Sequence, residues 1–177
     1  MSETSTLSVY ESRFAKTDKT DAVLVVEGKK LHVNKAILSY HSDYFNTLFN
    51  SDFKEKSISE IEIKDVDLWE FATLLSVVHG NTIKPPDSCV EKLLELSDRF
   101  LLPAVKPYLE QLLINSNLYP LEKILIAERH DLKDQMKTEI LRFTENVSIR
   151  SIENDWYWFM LSDNTKVKIL SQILRYH

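Results

Sequence analysis

The 177-residue sequence predicts an α+β domain, a three-stranded sheet covered by helices, continued by an all-α extension. Three observations carry that class. AVLVV at 22–26 and KKLHV at 29–33 flank a Glu27-Gly28 turn and read as a β-hairpin. SEIEIK at 59–64 sets Ile61 and Ile63 in alternation with acids, the period of a half-buried strand. From residue 67 onward the chain carries helical spacing and helix punctuation.

The elements follow in order. Residues 1–19 read as a polar lead with one short helix around LSVYESRF, 7–14. After the hairpin, Asn34 is placed to cap NKAILSY and Ser42 to cap DYFNTLFN. Asp67 and Glu70 have capping-box spacing before a helix that sets Leu68, Phe71, Leu74, Leu75 and Val78 on one side, with Gly80 just past its end. Ser88 and Glu91 repeat that spacing ahead of Val90, Leu93 and Leu94. Helices are then expected over 103–116, 119–132, 132–147 and 165–177, with Pro103 and Pro120 at first helical positions. An isolated hairpin is not stable, so the helices at 34–49 and 67–79 must cover its apolar face. These elements divide into a lead at 1–19, a mixed domain at 20–116 and a helical extension at 117–177.

Composition excludes several classes. Hydrophobic residues make up 44% and charged residues 28%, enough for a full core. A net charge of −5 argues against nucleic acid or an anionic membrane as partner. The N-terminus lacks the apolar core of a secretory signal, and no apolar run is long enough to span a bilayer. Cys89 is alone, which fits a reducing compartment, cytoplasm or nucleus.

No catalytic constellation emerges. The five histidines share no metal-ligand spacing with one another or with Cys89. No phosphate loop or nucleophile elbow occurs, and DVD at 65–67 reads as a strand end plus a helix cap. No enzyme activity and no cofactor are expected. Trp156-Tyr157-Trp158-Phe159-Met160 fits either a packed terminal helix or an exposed partner patch. Phe53 stands in the charged stretch LFNSDFKEKSISEIEI with no apolar residue following it at one-turn helical spacing. It is either a stray core residue or an aromatic displayed for another protein, with Glu55 beside it.

Taken together, DAVLVVEGKKLHVNKAILSYHSDYFNTLFNSDFKE, IEIKDVDLWEFATLLSVVHG and VEKLLELSDRFLLPAVKPYLEQLL resemble the BTB (POZ) domain in order and spacing, over about residues 20–115. The wording is most similar to BTB domains that follow MATH domains, although no MATH domain is seen here. From about 117 the chain resembles the short BACK-like extension of ubiquitin-ligase adaptors. It departs from the family at Asn34, where His is usual, at Asp43, often Pro, and at His79-Gly80, which replaces Tyr-Thr-Gly.

The resemblance implies a homodimeric, non-catalytic substrate adaptor of a cullin-3 RING ubiquitin ligase. Phe53-Lys54-Glu55 matches the apolar–x–Glu motif of cullin-recruiting members. It implies a cullin contact through Tyr44, Phe53, Glu55 and His79, and a self-association surface through Leu7, Tyr10, Phe14, Asp21 and Lys35, with Asp21 and Lys35 as a buried charge pair. The partners expected are a cullin-3-type scaffold, a second copy and a substrate protein of unknown identity. Two rivals remain: a dimeric scaffold or peptide binder without cullin, and a linker joining a different cullin to F-box proteins, against which the lead and the long extension count.

Overall fold

A computed structural model of the chain describes residues 9–50, 60–80, 82–144, 152 and 155–176. It divides into two compact units, Met1–Tyr108 and Leu109–His177.

The first unit opens with a helical stretch over 9–13 (α1) and the hairpin β1 (Ala22–Val26) and β2 (Lys29–Val33). Glu27 and Gly28 have φ of 49° and 73°, the left-handed pair that a two-residue hairpin turn requires. The register pairs Val26 with Lys29 and Leu24 with Leu31. Alternation along β1 buries Ala22, Leu24 and Val26. The sheet order is β2-β1-β3, and β3 (Ile61–Glu62) runs parallel to β1.

That third strand is shorter than the 59–64 expected. The Ile63 amide still donates to the Val25 carbonyl at 2.9 Å, but Asp65 then turns the chain with φ of 57°. The Arg99 guanidinium takes the carbonyls of Lys64 and Asp65 at 2.8 and 2.6 Å, so those groups bond to a side chain rather than to the sheet.

Helices α2 (Lys35–His41), α3 (Asp43–Asn50), α4 (Leu68–Val78) and α5 (Val90–Arg99) complete the unit. Asn34 caps α2 through the Ile37 amide at 3.0 Å, and Ser42 caps α3 through the Phe45 amide at 3.0 Å. Asp67 caps α4 through the amides of Trp69 and Glu70, and Gly80, φ 69°, follows its end. The Ser88 cap expected for α5 does not form. A 3-10 turn over Asp87–Cys89 runs directly into the helix, so the capping position falls on Cys89, which makes no side-chain cap bond. The core is aromatic: Phe45 stacks on Phe100 at 5.8 Å, and Phe71 meets Phe100 edge-on at 5.0 Å.

Helix α6 (Lys106–Asn115) carries the chain across the unit boundary. The second unit contains α7 (Pro120–Arg129), α8 (Lys133–Thr144), α9 (Trp156–Met160) and α10 (Asp163–Tyr176). Leu121, Ile124, Leu125, Ile140, Phe143, Leu161, Ile169 and Ile173 form its core. Helix α7 stops short of the expected residue 132 because Asp131 turns left-handed, φ 53°, and the Leu132 amide closes back on the Ala127 carbonyl at 2.8 Å. Helix α8 is described only to Thr144; the rest of its expected span to 147 lies outside the described residues.

Candidate interaction surfaces and the family of the chain

The lead segment is anchored in its own copy. Phe14 accepts the His32 amide at 2.9 Å on the free edge of β2. The Tyr10 hydroxyl meets Thr73 Oγ1 at 3.4 Å, and its ring stands edge-on to Trp69, both on α4. Tyr10 and Phe14, expected at a self-association surface, are therefore buried already within one chain. Burial pushes the Tyr10 hydroxyl pKa up; the Thr73 bond and Arg13 act against that, and Asp67 adds to it. Among the described residues of this unit, exposed apolar groups include Val9 on α1, Ile37 and Tyr40 on α2, and Leu101 after α5, with Tyr40 84% exposed. Leu7 lies outside the described residues.

The expected Asp21–Lys35 ion pair is not formed. Asp21 is exposed, and one carboxylate oxygen accepts the backbone amide of Lys35 at 2.7 Å. The Lys35 ammonium lies over the Phe49 ring, 5.8 Å from its centre. Asp21 sits beside the start of α2 because its own amide pairs with the Val33 carbonyl at 3.0 Å. The nearest donor is then the first helical amide, where a carboxylate is favoured by the helix dipole.

His79 is turned inward. Its Nδ1 lies 3.0 Å from the Leu75 carbonyl, which can only accept, so the neutral ring carries its proton on Nδ1. Nε2 is buried with no hydrogen-bond partner among the described residues, and the ring meets Phe14 edge-on at 5.9 Å. Burial lowers the His79 pKa; the Leu75 bond opposes this and His41 reinforces it. Phe14, Asp21, Asn34, Ile37 and His79 line one cavity of about 560 Å³. His79, expected with the cullin contact, thus lies with Phe14 and Asp21 rather than with Tyr44. Tyr44 is half-buried on α3, its ring edge-on to Phe45 and Phe100 at 5.2 and 5.1 Å. Phe53 and Glu55 lie outside the described residues.

Sequence reasoning missed Asn34 as a tie as well as a cap: its Nδ2 donates to the Lys19 carbonyl at 2.7 Å. It also missed Ile37 and Tyr40, whose spacing around the buried Leu38 marks an outward face of α2. Among the described residues no group of His, Cys, Asp and Glu could hold a metal, and no helix is long and apolar enough to cross a membrane.

The family model of the BTB/POZ domain matches residues 10–117, more than half of the chain. The chain belongs to the BTB/POZ domain family. Among curated relatives, BTB/POZ domain-containing protein Y57A10B.3 of Caenorhabditis elegans is 37% identical over 164 residues, covering 92% of this chain and 52% of that protein. From the same organism, BTB and MATH domain-containing protein 36 is 41% identical over 64% of this chain and 36% of its own length. BTB and MATH domain-containing protein 38 is 32% identical over 94% and 43%. The first and third matches necessarily run beyond the BTB domain into the helical extension. The chain spans about half, or less, of the length of these relatives. The BTB (Tramtrack and Bric a brac) domain of human gigaxonin superposes with a TM-score of 0.44 at 25% identity, over 58% of this chain and 80% of that one. BTB domains generally mediate self-association and partner binding and are generally non-catalytic.

Proposed function

We propose that this BTB protein is an intracellular, homodimeric, non-catalytic substrate adaptor of a cullin-3 RING ubiquitin ligase. The observation that carries the reading is a second helical unit with its own apolar core directly after the BTB domain. Two motif-level features support it: Phe53-Lys54-Glu55 follows α3, and Tyr44 on that helix is only half-buried. Self-association uses the exposed apolar groups of α1 and α2, Val9, Ile37 and Tyr40. An isologous contact there doubles each apolar group and gives the ligase two copies of every site.

One observation favours a second reading, a BTB dimer that scaffolds partners without cullin. His79, at a position where the resemblance implies a cullin contact, packs against Phe14 instead. Mixing the purified chain with the amino-terminal domain of cullin-3 and measuring mass by light scattering separates the two. The adaptor reading expects a complex with two chains and two cullins. A dimer that elutes apart from cullin supports the scaffold.

A further inference from the structure

We infer that the groove between α8 and α10 is a docking site for an acidic amphipathic protein segment. It is a cavity of about 660 Å³ lying wholly within the second unit. Its floor is apolar: Leu132 and Ile140 are buried, Met136 and Leu141 are half-buried, and all four lie on or at the start of α8. Val167 stands at its edge on α10 and is 60% exposed, an apolar side chain facing water beside an apolar floor.

The rim is basic although the chain carries a net charge of −5. Lys133 and Lys137 stand one turn apart on α8; Lys168 and Arg175 stand two turns apart on α10. The acids that line the groove are Glu128 and Asp131, and both are engaged. Asp131 faces Lys133 at 3.5 Å. Glu128 accepts hydrogen bonds from the Ser162 amide at 3.2 Å, from the Ser162 hydroxyl and from the Thr165 hydroxyl at 2.8 Å. No ion pair reaches Lys137, Lys168 or Arg175 among the described residues; Arg175 bonds only Gln172, at 3.4 Å.

Those two properties together select the occupant. An apolar floor rewards a stripe of aliphatic or aromatic side chains, while an excess of cations on both walls rewards carboxylates flanking that stripe and rejects lysines. The lined length, Lys133 to Leu141 on one wall and Val167 to Arg175 on the other, corresponds to roughly 12 Å of helix, so the site takes about two helical turns or a few extended residues. This site is independent of the cullin reading, since it needs neither Phe53 nor the dimer.

The probe is a peptide of roughly twelve residues with leucines at helical spacing and glutamates elsewhere, compared with the same peptide carrying lysines for glutamates. Binding to the full chain is read by fluorescence anisotropy, with methyl NMR of Met136 and Met160 on the unsubstituted chain. We expect saturable binding of the acidic peptide only, with the Met136 methyl shifted and Met160 unmoved. The double variant Lys137→Glu/Lys168→Glu should weaken it about tenfold and improve binding of the lysine peptide, whereas Lys84→Glu in the first unit changes neither. Equal binding of both peptides, no saturable binding, or a shift at Met160 rather than Met136 overturns the inference. Peptide binding that weakens as the chain concentration rises, because a second copy covers the groove, also overturns it.

Discussion

The Asp21 carboxylate holds the Lys35 amide at 2.7 Å, so the residue that opens β1 also closes the amino terminus of α2. This joins the open end of the hairpin to the first covering helix through a charge-assisted bond rather than a side-chain ion pair. Asp21→Ala should therefore cost about 1 kcal/mol, while Asp21→Asn, which keeps an accepting oxygen, costs only a few tenths. Lys35→Gln removes a charge but no hydrogen bond and should shift the melting temperature by less than Asp21→Ala. Chemical denaturation of the three variants checks the order; a larger loss in Lys35→Gln would restore the ion pair.

The inward ring of His79 should make stability pH-dependent. Burial lowers its pKa below the ordinary 6.5, so the unfolded chain takes up a proton before the folded chain does. Stability contributed by the neutral ring is full above the unfolded value and falls as pH drops below about 6.5, until the folded value is passed. The melting temperature should decline over that range, and His79→Leu, which keeps a half-buried apolar group against Phe14, should flatten that part of the profile. An unchanged slope in the variant would show that His79 titrates in solvent.

Glu128 ties α7 to the start of α10 through Ser162 and Thr165. Burial alone would raise its pKa, but those hydrogen bonds and the charge of Lys168 outweigh burial and hold Glu128 below the usual carboxylate range. Its contribution is present above the unfolded value near 4.5 and is lost as pH falls through the folded one. Glu128→Ala should destabilise the chain by about 1 kcal/mol near neutral pH, measured by urea denaturation. Equal loss from Glu128→Ala and Glu128→Gln would assign the effect to the charge, whereas a small loss in Glu128→Gln alone would assign it to the accepting oxygen.

Much of this architecture was legible because local chemistry decided it. The left-handed pair at Glu27-Gly28, the caps at Asn34, Ser42 and Asp67, and the apolar face of α4 each follow from nearby residues. What was not legible depends on residues distant in the chain. Arg99 draws off the carbonyls that would lengthen β3, and the lead segment closes over Tyr10 and Phe14 on α4 and the β2 edge. His79 and Asp21 look alike in sequence, as charged or titratable residues at element ends. One proves to be half-buried with a nitrogen unpartnered among the described residues and the other an exposed cap, because only packing across the sheet distinguishes them. The groove of the second unit has no sequence signature, since its basic rim is assembled from two helices separated by α9.

The proposed self-association would use the uncovered faces of α1 and α2. Tyr40→Asp, at a side chain 84% exposed in one copy, should leave the melting of the isolated chain nearly unchanged while converting a dimer to a monomer at micromolar concentration. Light scattering on both proteins at matched concentration checks it. A monomeric parent protein would remove the homodimer from the account.

The adaptor reading is tested most directly by Phe53→Ala, with cullin-3 titration and thermal melting measured on the same preparation. A displayed aromatic adds little to its own domain, so melting should barely move, while cullin affinity falls by at least about 2 kcal/mol, roughly thirtyfold. A core phenylalanine would behave in the opposite way, losing roughly 3 to 5 kcal/mol of folding stability. Unchanged melting with a roughly thirtyfold weaker cullin complex is the predicted result; unchanged melting with unchanged cullin affinity would contradict it.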